Sequence, residues 1–198
     1  MQATRALIVY CHPWAGSLNH AILGAVESSL KRDGVPYDLI DLHADGFQPA
    51  YDQKELSLFS RGETNDPLVS KYLGLLKGCD MVIFITPVWW NEIPAMLKGF
   101  IDKTMKSGVE QAYTEGKFGV IGHLDNIRKA YVLTTATSPR FYLRFMAGNG
   151  IQGLFMNATL KQLGIKHSKW IHFGRVTSAS PERCKAYLTQ RAEAHYTI

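Results

Sequence analysis

Ala6-Leu7-Ile8-Val9-Tyr10 runs directly into Cys11-His12-Pro13-Trp14-Ala15-Gly16-Ser17-Leu18-Asn19, and this junction decides the fold class. Five successive apolar residues exceed what a half-exposed strand needs; a strand covered on both faces reads this way. Beyond the loop, Leu18, Ala21, Ile22, Ala25 and Leu30 recur at helical spacing, with Ser17 placed to cap the helix and Gly34 to end it. Further apolar runs at 37–42, 81–85, 130–133 and 169–173 alternate with helical patterns. Pro94 opens a helix through Met96, Leu97, Phe100 and Ile101, another over 151–163 stops at Gly164, and Ser180-Pro181 begins the last. The pattern predicts one α/β domain over 1–198: an open, doubly wound, five-stranded parallel sheet of order 2-1-3-4-5 with helices on both faces. Two connections, 44–65 and 106–129, are long enough to act as partly ordered lids near the ligand end of such a sheet.

Composition narrows the function. With 46% hydrophobic and 20% charged residues, the 198-residue chain is neither collagenous, nor low-complexity, nor a disulfide scaffold. Its 22 Lys and Arg against 17 Asp and Glu give +5, which suits an anionic ligand, but no dense basic stripe marks a nucleic-acid binder. Cys11, Cys79 and Cys184 lie far apart without a CxxC, and the histidines lack ligand spacing, so neither disulfides nor a metal site are expected. A reducing cytoplasmic setting fits. The longest apolar run, 81–90, is about half the ~20 residues of a spanning helix and is broken by Pro87, so no membrane insertion is expected. The N-terminal stretch reads as a strand rather than a signal peptide.

Three strand ends carry candidate chemistry. The loop after the first strand leads into a helix N-terminus, where unpaired amides favour an anion, and His12, Ser17 and Asn19 would add donors. It lacks both G-x-G-x-x-G and a P-loop. An ordinary strand-to-helix turn with His12 in solvent explains it equally well. The third strand delivers Thr86-Pro87-Val88-Trp89-Trp90-Asn91-Glu92-Ile93-Pro94, two indoles in a loop stiffened by prolines. Such a loop suits a platform for a flat ring; the alternative is one indole sealing the core and the other meeting a second subunit. The fourth strand ends in Thr134-Thr135-Ala136-Thr137, whose small residues leave backbone amides open to an oxygen. Strands one, three and four are neighbours in the expected order, so the three loops would converge. Cys11 beside His12 is not read as a catalytic pair, because neighbours on a strand face opposite ways. Arg140 and Arg144 follow this loop at i,i+4 and could meet a phosphate, but a solvated helix face is the reading preferred.

Taken together, His12-Pro13, Ser17-x-Asn19, Pro87-x-Trp89-Trp90-x-x-x-Pro94-Ala95-x-Leu97-Lys98-Gly99 and Thr134-Thr135 resemble the flavodoxin-like NAD(P)H:quinone oxidoreductases. That family includes DT-diaphorase, the bacterial modulators of drug activity and the ancillary subunits of potassium-efflux systems. The likeness runs collinearly from Ala6 to about Phe173. It implies a flavodoxin-like homodimer with shared sites, each binding a flavin that takes hydride from NAD(P)H and passes it to a quinone-like acceptor by ping-pong kinetics. His12, Ser17, Leu18 and Asn19 would hold the phosphates. Pro87, Val88, Trp89, Trp90 and Asn91 would line the isoalloxazine, and Thr134, Thr135, Ala136 and Thr137 its pyrimidine edge. Tyr142 would stand by the flavin carbonyl, as the one catalytic candidate, and Tyr113 would line the substrate pocket of the other subunit. The spacing of Ser17-x-Asn19 is that of the FAD branch, so FAD is expected over FMN.

The chain also departs from the family. Ala147-Gly148-Asn149-Gly150 stands where the mammalian members have a histidine, Ala136 and Thr137 replace two glycines, and the extra C-terminal region of longer members is not expected. A flavin-bearing regulatory subunit of a membrane transport system is the alternative function. A flavodoxin-type one-electron carrier ranks lower, since such carriers are usually acidic.

Overall fold

The computed structural model describes residues 4–108, 111–117 and 119–198. Met1–Ala3, and residues 109, 110 and 118 of the second long connection, lie outside the described residues. The first half of the chain forms β1 (Ala6–Tyr10), α1 (Leu18–Arg32), β2 (Tyr37–Asp41), α2 (Gln53–Leu58), α3 (Pro67–Lys77) and β3 (Met81–Pro87). Then come α4 (Ala95–Thr104), a hairpin of β4 (Tyr113–Gly116) and β5 (Gly119–Gly122), and β6 (Lys129–Thr135). The chain continues through α5 (Arg140–Phe145), a π-helical segment Gly150–Leu160, β7 (Ser168–Phe173) and α6 (Pro181–Glu193). The main sheet has five strands in the order β2-β1-β3-β6-β7, every pairing parallel, the flavodoxin-like order expected.

Alternation along the strands splits the core in two. Leu7, Val9, Val82, Phe84, Ala130 and Val132 face one layer, beneath α3, α4 and the π-helical segment. Ala6, Ile8, Tyr10, Met81, Ile83, Ile85 and Leu133 face the other, beneath α1. Both parities are buried, which is why the strands read as unbroken apolar runs. The register pairs Tyr10 with Ile85 and Pro87 with Thr135, so β1, β3 and β6 end side by side and their loops leave together.

The long connections hold structure of their own. The first contains α2, whose cap Asp52 accepts a hydrogen bond from the Glu55 amide at 2.7 Å. Pro49 of that excursion packs so closely on α4 that a Cβ at Gly99 would sit 2.3 Å from the Pro49 carbonyl oxygen. Two buried lysines pin the excursion down. Lys103 Nζ donates to Asp66 at 2.9 Å and to the Gln48 carbonyl at 2.8 Å, and Lys106 Nζ lies 2.6 Å from Glu55 Oε1. Burial pushes the Glu55 carboxyl up, but Lys106, the Thr64 hydroxyl and the Asn65 amide outweigh it and hold it below the ordinary range. The second connection folds into the β4–β5 hairpin. Among the described residues no helix is long and apolar enough to cross a membrane, and no group of three or more His, Cys, Asp or Glu could hold a metal.

Candidate functional site

The loops leaving β1, β3 and β6 enclose a cavity of about 590 Å³. From the first loop come His12, Ser17, Leu18 and Asn19; from the second, Pro87, Val88, Trp89 and Trp90; from the third, Thr135, Ala136 and Thr137. Each wall has a distinct chemical character.

At the first wall, Ser17 caps α1, its Oγ accepting from the His20 amide at 3.1 Å. The Leu18 and Asn19 amides come too early in the helix to reach a carbonyl of their own turn, so two donors and the positive end of a four-turn helix border the cavity. Asn19 is buried; its Nδ2 donates to Thr135 Oγ1 at 2.8 Å, tying the first wall to the third, while its Oδ1 has no partner. His12 Nδ1 accepts from the Trp14 amide at 3.2 Å, which assigns the ring proton to Nε2. Burial pushes the His12 pKa down and favours the neutral ring. His12 and Trp89 meet edge to face, their ring centres 6.3 Å apart.

The second wall is a tight turn. Trp89 and Glu92 exchange both backbone hydrogen bonds, at 3.0 and 3.2 Å, around Trp90 (φ 51°) and Asn91 (φ 68°). Two successive positive φ values are the type I′ geometry, in which the chain prefers Asn or Gly. A tryptophan held there costs roughly 1–2 kcal/mol. Trp90 nevertheless stands 98% exposed, an apolar ring that the single chain leaves uncovered.

At the third wall, parity separates the two threonines. Thr135 faces α1 and receives Asn19, whereas Thr134 points to the opposite layer and does not line the cavity. Thr134 Oγ1 instead accepts from Trp170 Nε1 at 2.7 Å and shares a 2.8 Å bond with His172 Nδ1. The Ala136 amide is also spent, on the Phe173 carbonyl at 3.1 Å, so fewer amides open into the cavity than the sequence suggested.

Three more expected residues stand elsewhere. Asn91 serves the turn without lining the cavity, and Tyr142, on α5, lies outside it. Tyr113 lines a separate apolar hollow of about 450 Å³ with Tyr51, Leu56 and Phe59. Burial pushes the Cys11 thiol up to about 12, so it is no nucleophile near neutral pH.

Two lining residues escaped the sequence reading. Trp14 folds back over its loop because Gly16 leaves room: a Cβ there would meet the indole at 2.5 Å. Gly16 two residues after a tryptophan was the available signal. Val176, beyond β7, gave none; it arrives because its amide binds the Ala136 carbonyl at 3.0 Å.

A flat, phosphate-bearing ligand fits these walls, with indoles for a ring, helix amides for an anion and a buried orphan acceptor for a ligand donor. Comparison with known proteins agrees with the fold. An uncharacterized NAD(P)H oxidoreductase of Haemophilus influenzae is 24% identical over 188 residues, covering 94% of this chain and 92% of its own. NAD(P)H dehydrogenase [quinone] 1 of Rattus norvegicus is 27% identical over 159 residues, and the match spans 72% of this chain but 57% of that longer protein. The crystal structure of Smu.1420 from Streptococcus mutans UA159 superposes with a TM-score of 0.82 at 29% identity, covering 96% of this chain and 97% of that one. Residues 4–196 match the Flavodoxin_2 family, described as a flavodoxin-like fold, and with its sheet order and strand-end cavity the chain belongs to that family.

Proposed function

We propose that this chain is a flavin-dependent NAD(P)H oxidoreductase that reduces a quinone-like acceptor. The observation that carries the reading is the convergence of three loops on one cavity that joins indole faces to a helix N-terminus. Relatives named as NAD(P)H oxidoreductases and quinone dehydrogenases support it.

A bound flavin would supply the redox chemistry. The chain's part is to bind, orient and shield. The Leu18 and Asn19 amides and His12 Nε2–H are donors for the phosphate end. Trp89, Pro87 and Val88 form the platform, and the Asn19–Thr135 link fixes the back wall against the first loop. We favour FAD over FMN on the Ser17-x-Asn19 spacing. Because Trp90 is bare and Tyr113 lines a hollow of its own, we assign the active form as a homodimer in which each copy covers the other's cavity. The free, widely separated cysteines suit a cytoplasmic setting. One slot serving both substrates in turn predicts ping-pong kinetics.

The purified protein is expected to show flavin absorption bands that bleach on addition of NAD(P)H and recover with a quinone. Double-reciprocal plots are expected to be parallel. A protein that binds neither FAD nor FMN overturns the reading, and intersecting plots overturn the shared slot.

A further inference from the structure

Beside the cavity lies a basic surface that the reading above leaves unused. Two adjoining hollows of about 490 and 650 Å³ run along the outer strand β7 and share Arg140, His172 and Arg183. Arg175 belongs to the first, Lys169 and Arg191 to the second, and neither lining includes an Asp or Glu. Among the described residues, no carboxylate pairs with Arg140, Arg175, Arg183 or Arg191. Cations without carboxylate partners repel one another, a cost that an anion in the hollows would relieve.

The guanidinium groups are also held in place. Arg140 lies over the Trp170 ring at 4.9 Å, and Arg183 lies over Phe173 at 4.1 Å while donating to the Gly174 carbonyl at 2.8 Å. Arg191 lies over Tyr187 at 5.1 Å, with its Nε buried and unpartnered. Guanidinium groups fixed on aromatic faces lose little freedom when they grip an anion, and their fork matches a phosphate.

The position names the ligand. The Arg175 amide binds the Thr137 carbonyl at 3.2 Å and the Val176 amide binds the Ala136 carbonyl at 3.0 Å. These segments form one wall, with Ala136, Thr137 and Val176 lining the cavity and Pro139, Gly174 and Arg175 lining the basic hollow. A molecule using both sides has a flat head and a strongly anionic tail. NADPH has both, and its 2′-phosphate monoester carries roughly −1.5 to −2 at neutral pH. We propose that the arginine trough holds the 2′-phosphate of NADPH and selects it over NADH; this rests on the NAD(P)H reading above.

Calorimetry on the full chain with 2′,5′-ADP and 5′-AMP tests the trough without turnover. 2′,5′-ADP is expected to bind at least about tenfold more tightly, and Arg140→Gln with Arg175→Asn to abolish that difference. Asn suits position 175, where φ is 56°. The same variant is expected to lower the NADPH-to-NADH ratio of kcat/KM by about tenfold to a hundredfold. Equal affinity for the two nucleotides in the wild type overturns the inference. So does loss of bound flavin in the variant, which would assign the arginines to the flavin's own tail. Selective 2′,5′-ADP binding by a chain with no flavin spectrum supports the trough and overturns the activity reading instead.

Discussion

Replacing Lys106 by Met tests how the excursion carrying α2 is fastened. Lys106 and Glu55 are 1% and 2% exposed and 2.6 Å apart, and the ammonium also binds the Glu63 carbonyl. Removing the cation strands a buried carboxylate, which costs about 3–5 kcal/mol. For a chain of this size, about 2–4 °C accompanies each kcal/mol, so Tm is expected to fall by roughly 6–20 °C. Adding Glu55→Gln removes the stranded charge while leaving an acceptor for Thr64 and Asn65, and is expected to restore about 1–3 kcal/mol. The pH dependence separates the two forms. In the wild type the Glu55 pKa is lowered, so its contribution is present above the unfolded value near ~4.3 and is lost as pH falls through the folded value. In Lys106→Met, burial without the cation raises that pKa, so stability falls as pH rises from about 4.3. Urea unfolding at pH 5 and pH 7 reads the difference. A double variant as unstable as the single one, or identical pH slopes in wild type and Lys106→Met, refutes the reasoning. Because Tyr51, Leu56 and Phe59 ride on this excursion and line the hollow with Tyr113, the hollow is expected to loosen in parallel.

Trp90→Gly is expected to raise the stability of the isolated chain by about 1 kcal/mol, since glycine suits the left-handed turn. Flavin affinity and quinone turnover are expected to fall together, read by flavin titration and steady-state rates; higher stability with unchanged turnover would show the strain to be idle. Native alkylation at pH 8 followed by mass spectrometry is expected to label Cys184, which is partly exposed, and to spare Cys11 and Cys79, whose buried thiols are pushed up to about 12. Early labelling of Cys11 would show that the core beneath α4 opens.

The sheet and its order were legible because a buried parallel strand leaves a coarse mark: both faces apolar, for five or more residues. Ser17, Pro94 and Ser180-Pro181 marked the helix starts for the same local reason. Position 134 shows where such reading stops. The sequence presents two equivalent threonines, yet the pleat sends Thr135 to Asn19 and Thr134 to Trp170 and His172. The two long connections were legible as long but not as folded, since α2 and the hairpin are held by contacts with residues about 40 to 55 positions away, such as Glu55 with Lys106.

The sequence by itself determined the layers, the strand order and which three loops meet, because periodicity and caps act within a few residues. Only the tertiary structure decided which side chains those loops present. It turned Trp90 outward in a strained turn, folded Trp14 over Gly16, brought Val176 in from beyond β7, and gathered four arginines around two adjoining hollows. Each of those outcomes depends on register and close approach between distant segments, which no local pattern encodes.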